Sequence, residues 1–256
     1  MIAIEACLQS GRAILRYERQ INPPLKRDET AVAFYAGLRS NELIQNRLSM
    51  TGLPFMSERG RIVPYEERVG WERFWLVDSL EGEQGFVSGT GEYTVSIALI
   101  EFHEPVLGVV YAPLMDELYF ASRETGAYRV SEASSSTASS FRLTRTSRRG
   151  PFRESSHFRL LVSPSHFDER TIRYIEELKR QYKVIDVVQD ESALKLCMVA
   201  AGEADLYPML DSSAEWETAA GHAIMKAVGK NIIDIASGRE LSYNKPDIHN
   251  PSFIAK

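Results

Sequence analysis

Apolar residues keep largely to one side of the first twenty positions: Ile2, Ile4, Ala6 and Leu8, then Ala13, Ile14 and Leu15. That spacing predicts an amphipathic helix, stopped by Asn22-Pro23-Pro24. A second helix is expected over residues 31–48. Leu53-Pro54-Phe55-Met56 reads as a short buried strand ending at Ser57-Glu58, and the charged, Gly- and Pro-bearing stretch 59–70 as an exposed loop. Phe74-Trp75-Leu76-Val77 is a continuous apolar strand that runs into an acidic turn at Asp78, Glu81 and Glu83. Residues 92–101 alternate and are rich in β-branched side chains, the mark of a strand. A turn at His103-Glu104-Pro105 separates it from a strand at 106–112, and 117–121 returns as another.

Residues 131–157 break this rhythm. Ser, Thr and Arg dominate there, which predicts a mobile connection between an N-terminal half, 1–130, and a C-terminal half, 158–256. Beyond it, segments at 159–163, 169–182, 183–188, 192–201, 206–209, 218–228 and 231–235 alternate between strand and helix. That order is an α/β signature. No internal repeat is visible.

Composition narrows the function classes. The chain has 256 residues, 44% of them apolar and 25% charged, as in an ordinary globular enzyme or binding protein. A net charge of −5 and a pI of about 5.7 argue against general affinity for nucleic acid or anionic membranes. An anionic substrate would need locally placed cations or a metal. Two cysteines, Cys7 and Cys197, suit a reducing compartment. The N-terminus lacks the pattern of a secretory leader, and no apolar run approaches the roughly 18 residues of a membrane span. The expectation is a cytoplasmic protein, monomeric or homodimeric, acting on a small molecule.

Acidic residues stand at strand ends and a helix start: Glu58, the Asp78/Glu81/Glu83 turn, and Glu217. Carboxylates gathered in such places hold hard divalent cations, because Mg²⁺ takes several oxygen ligands. On spacing alone the commoner reading of each is a solvated turn residue or helix N-cap, and Glu217 would favour a helix N-terminus by its charge alone.

Longer motifs decide between these readings. FWLVDSLEGEQGF (74–86) resembles the W-I/L-V-D-P-L-D-G-T-x-x-F signature of the inositol-monophosphatase superfamily, and EWETAAGHAI (215–224) its second signature, W-D-x-A-A-G. Ser57-Glu58 resembles the S-E-E that supplies a further ligand. The stretch GEYTVSIALIEFHEPVLGVVYAPLMDELYFA (91–121) is similar to the 3′(2′),5′-bisphosphate nucleotidase branch, as are SPSH (163–166), SALKLCMVAAGEADLYP (192–208) and NPSF (250–253). The resemblance runs from about Lys26 to the C-terminus. It implies an α/β (α+β) fold, the layered αβαβα sandwich, and a metal-dependent phosphomonoesterase acting on adenosine 3′,5′-bisphosphate or a related nucleoside or sugar phosphate. Carried over by position, Glu58, Asp78 and the Leu80 carbonyl would hold one Mg²⁺, and Asp78, Glu81 and Glu217 a second, with Mn²⁺ or Ca²⁺ as alternatives. The resemblance assigns catalysis to Glu58, Asp78 and Glu83. It assigns phosphate to the N–H groups of Gly82 and Glu83, and the nucleotide to His166, Ser192 and Lys195, with the Lys195 ammonium facing the second phosphate.

The family pattern is substituted at its most reactive positions. Glu81 stands for Asp, Glu83 for Thr, Glu217 for Asp, and Arg59 for the second Glu of S-E-E. The early S-P-V-T-x-A-D reads TAVAFYA (30–36), a basic residue after Tyr207-Pro208 is Met209, and G-S-S-L-K reads Glu191-Ser192-Ala193-Leu194-Lys195. Asp to Glu keeps a hard oxygen but moves it, and about 1 Å of misplacement can cost on the order of 10²-fold in rate. Glu83 sets a negative charge near the phosphate: at 4 Å the repulsion is about 4 kcal/mol at an effective dielectric of 20, unless a cation intervenes. On this reading Glu83 must ligate metal, act as a base, or stay protonated. Two functions stay open, a working phosphatase and a catalytically impaired or repurposed homologue.

Overall fold

Strands buried on both faces organise the molecule, which is known as a computed structural model describing residues 1–21, 29–135, 144–145, 158–182 and 185–256. The expected helix stop at 22–24, and most of the expected mobile connection at 131–157, lie outside the described residues.

The main sheet has seven strands in sequence order: β1 (Phe55–Ser57), β2 (Arg73–Glu81), β3 (Thr94–Glu101), β4 (Glu104–Ala112), β5 (Glu117–Ser122), β6 (Gly126–Ser131) and β7 (Thr144–Arg145). β1 and β2 are parallel, and every later pair is antiparallel. Side chains along a strand point alternately to opposite faces, and here each face has its own core. Trp75 and Val77 of β2, Ile97 and Leu99 of β3 and Tyr111 of β4 pack under helices α1 (Ile2–Ile21) and α2 (Glu29–Leu48). The intervening Phe74, Leu76, Ala98, Ile100 and Val110 face the other way. Residues 94–100 are therefore wholly buried, although their alternation suggested one wet face.

On that second face lie α6 (Leu194–Ala201) and α7 (Glu215–Ala227). Gly108 of β4 permits the contact, since a Cβ there would sit 2.1 Å from the Ala220 carbonyl oxygen. The core is shared along the chain: Phe74, Leu76 and Tyr119 pack with Cys197, Ile224 and Phe253. The next layer holds the parallel pair β8 (Phe158–Val162) and β9 (Ile185–Gln189), bridged at Leu160–Leu206 to β10 (Tyr207–Met209). β14 (Phe253–Ala255) runs between β10 and β12 (Ile232–Asp234). A two-residue pair, β11 (Ser213–Ala214) with β13 (His249–Asn250), leads into α7. Helix α5 (Glu169–Lys179) closes the outer side through Ile175 and Leu178 against Phe158 and Leu160, its N-terminus capped by Asp168. The order helix, sheet, helix, sheet, helix is the expected αβαβα sandwich.

Several elements differ from expectation. The loop 59–70 contains a short helix, α3 (Tyr65–Arg68), whose Arg68 is fully buried, donating to Asn244 Oδ1 at 2.7 Å and to the Val63 and Pro246 carbonyls. β1 begins at Phe55 rather than Leu53, and α7 at Glu215 rather than 218. No helix among the described residues is long and apolar enough to cross a membrane.

Candidate active site

Parallel pairing of β1 with β2 sets Ser57 beside Val77, and the Glu58 N–H donates to the Val77 carbonyl at 3.3 Å. Glu58 and Asp78 consequently leave the same end of the sheet side by side. A register shift between Asp78 and Glu81 then bends β2 out of its ladder, the usual way a bulge re-aims side chains. The Leu80 N–H donates to Asp78 Oδ1 at 3.2 Å and fixes that carboxylate. Gly82 turns the chain at φ 84, where a Cβ would meet the Glu92 carbonyl oxygen at 2.2 Å, so only glycine fits. Glu83 opens the short helix α4 (Glu83–Ser88).

These residues form one wall of a cleft of about 360 Å³. The turn at Pro164–His166 and the start of α6 form another wall, and the first turn of α7 a third. All of the sequence-selected residues line it: the metal candidates Glu58, Asp78, Leu80, Glu81 and Glu217, and the binding candidates Gly82, Glu83, His166, Ser192 and Lys195. Several binding candidates are already engaged. The Ser192 hydroxyl donates to Asp190 Oδ1 at 2.7 Å, and Lys195 Nζ donates to the Asp190 and Ser192 carbonyls, both at 2.8 Å, above the Tyr207 ring. His166 Nδ1 lies 3.3 Å from Asp211 Oδ2. Glu191 accepts from the Ser165 N–H and hydroxyl, each at 2.8 Å, so this acid braces the turn rather than facing a ligand freely.

The acids repel one another. Burial pushes the Asp78 carboxyl well above the usual carboxylate range, and the charges of Glu58 and Glu217 push it further, against the Leu80 N–H. Glu81 is raised by burial and by Asp78, with Lys195 opposing. Burial also raises Glu58, partly offset by Arg59, and Glu217, partly offset by the Ala214 N–H that it accepts at 2.8 Å. Lys195 is lowered by burial, with the Glu81 charge pulling the other way.

Glu81 Oε2 is buried without a hydrogen-bond partner. An orphaned carboxylate oxygen among mutually repelling acids is a donor set suited to a hard divalent cation. As they stand, no three His, Cys, Asp or Glu side chains among the described residues are placed to hold an ion between them. Glu58 is turned toward Arg59, its Oε2 3.4 Å from Nε, and Glu217 toward Ala214, so rotation of side chains would be needed to close around one. Glu83 forms an ion pair with Arg59. Sequence reasoning missed that pairing, and it missed Asp190, whose carboxylate organises the start of α6. The D-x-S spacing of Asp190 and Ser192 was the available signal.

The inositol monophosphatase family model matches residues 2–256. A 3′(2′),5′-bisphosphate nucleotidase CysQ from Salmonella typhimurium is 35% identical over 208 residues, 78% of this chain and 74% of that protein. One from Aggregatibacter actinomycetemcomitans is 29% identical over 254 residues, 98% of this chain and 90% of its own. The crystal structure of CysQ from Bacteroides thetaiotaomicron, a bacterial member of the inositol monophosphatase family, superposes with a TM-score of 0.91 at 35% identity, covering 100% of this chain and 96% of that one.

Proposed function

The chain belongs to the inositol monophosphatase family and is a phosphatase, and from that premise we propose that it is a divalent-metal-dependent phosphomonoesterase acting on adenosine 3′,5′-bisphosphate or a closely related nucleoside or sugar phosphate. The observation that carries this reading is the meeting of Glu58, Asp78, Glu81 and Glu217, from three separated stretches of chain, on one cleft with an orphaned Glu81 oxygen. A cleft so acidic repels a phosphate ester unless cations intervene. Asp78, the most buried of the four, would be the central ligand, with Glu58 and the Leu80 carbonyl on one side and Glu81 and Glu217 on the other. Bound there, Mg²⁺ would supply water activation and neutralise charge on the leaving oxygen.

The chain's own residues do the rest. The bulge after Asp78 aims the Asp78, Leu80 and Glu81 groups into the cleft, and Gly82 brings backbone close to where a phosphoryl group would lie. Lys195, held over Tyr207 by two carbonyls, adds a fixed positive charge near Glu81. His166 lines the same cleft from the turn at Pro164–His166 and would meet a base or sugar.

Phosphate release with Mg²⁺ from adenosine 3′,5′-bisphosphate, adenosine 5′-monophosphate and inositol 1-phosphate tests the substrate class. The bisphosphate is expected to give the highest kcat/KM. A preference for inositol 1-phosphate would reject the nucleotide reading while keeping the phosphatase.

A further inference from the structure

One strong cation stands behind the acidic wall and takes no part in the scheme above. Arg59 follows Glu58 on the turn after β1, and its side chain is only 14% exposed. It ion-pairs with Glu83, and its Nε lies 3.4 Å from Glu58 Oε2. Its guanidinium carbon lies 5.5 Å from the centre of the Phe34 ring, a cation–π arrangement. Gly37 of α2 makes room for it: a Cβ there would be 3.1 Å from Arg59 Nε. An ion-paired carboxylate, a second one near Nε, an aromatic face and a close helix thus surround one guanidinium, and its planar fork suits two acids better than a lysine would.

We propose that Arg59 is a positioning residue for the phosphate end of the cleft: it draws the Glu83 carboxylate into an ion pair and neutralises it, so that an acidic side chain is tolerated where a phosphoryl group docks. This rests on the phosphatase reading above. Arg59 does not line the cleft, whereas Glu83 does. The guanidinium therefore acts through Glu83 and does not itself touch substrate. Lys195, the one lysine among the cleft residues, is committed to two carbonyls and opposed to Glu81, so it does not serve Glu83. The opposite charges at positions 59 and 83 form one device, in which the acid is acceptable because the base is present.

The test is calorimetric binding of inorganic phosphate in the presence of Mg²⁺, together with KM and kcat for a phosphomonoester. Wild type is compared with Arg59→Ala, Arg59→Lys, Glu83→Gln and Arg59→Ala/Glu83→Gln, and thermal unfolding is used to confirm that each is folded. Arg59→Ala is expected to weaken phosphate binding and raise KM by about tenfold or more, since it frees a charge facing the anion. Its kcat should change far less. Arg59→Lys should be intermediate, and Glu83→Gln should bind phosphate at least as tightly as wild type. The double variant should recover to within about threefold of wild type, as coupled neighbours do. Unchanged binding by Arg59→Ala, or a double variant as weak as Arg59→Ala, would overturn the proposal. A wild type that neither binds phosphate nor releases it from an ester would overturn the phosphatase reading instead, and this proposal with it.

Discussion

Asp78 shows how the site is stressed at the scale of one residue. Its carboxylate is buried against Glu58 and Glu217, with the Leu80 N–H and, less strongly, the Arg59 charge for compensation. An ionised group so placed lowers stability until a cation joins it. Asp78→Asn keeps an acceptor for the Leu80 N–H and removes the charge. In scanning calorimetry at neutral pH, the metal-free variant should melt above metal-free wild type and should lose the Mg²⁺-induced gain. A lower melting temperature with an intact Mg²⁺ response would show that Asp78 is a structural acid. Glu217 has two tasks that conflict in length: it reaches the cleft and also caps the Ala214 N–H. Glu217→Asp should cost about 0.5–2 kcal/mol in urea unfolding through the lost cap. Combined reversion of Glu81 to Asp, Glu83 to Thr and Glu217 to Asp should raise phosphate release from adenosine 3′,5′-bisphosphate if these acids impair an older geometry. With Arg59 left paired only to Glu58, the single reversions should not add. A triple variant slower than wild type would mean that the glutamates are a working set.

Helix α7 and strand β2 carry the argument at the scale of elements. The helix lies across β3 and β4 with Ile224 fully buried in the shared core, and this docking delivers Glu217 to the cleft. Ile224→Ala should lower unfolding free energy by about 2–5 kcal/mol and weaken divalent-ion binding at the same time. Full ion affinity in a destabilised variant would separate the helix from the site. Much of this was legible in sequence because local patterns encode it: the continuous apolar run before Asp78 marks a strand buried on both faces, and the signatures around Glu81 and Glu217 mark the turn and the helix. What escaped depends on distant partners. Arg68 sits in a charged stretch and looks exposed, yet two of its three acceptors lie 176 and 178 positions away. The Arg59–Glu83 pair is joined only by the fold, and short strands such as β13 and β14 exist through pairing rather than propensity.

Over the whole molecule, the clustered acids link stability to pH and to cations. Carboxyls whose pKa is raised on folding hold protons more firmly in the native state. Their contribution to stability is complete below the unfolded value near 4 and is lost as pH rises through the raised native values. The metal-free protein should therefore lose melting temperature as pH climbs from the ordinary carboxylate range toward neutrality, while the gain from millimolar Mg²⁺ grows, because ligands must be deprotonated to bind. A Mg²⁺ gain that stays flat with pH would place the ion elsewhere. The most direct test of a metal-loaded acidic cleft as a phosphatase centre is phosphate release from adenosine 3′,5′-bisphosphate by chelator-stripped protein, before and after Mg²⁺ is restored, in wild type and in Asp78→Asn. Release should appear only with Mg²⁺ and only in wild type, with Asp78→Asn slower by more than about 10²-fold. Release that persists without any divalent ion, or that survives Asp78→Asn near the wild-type rate, would contradict it.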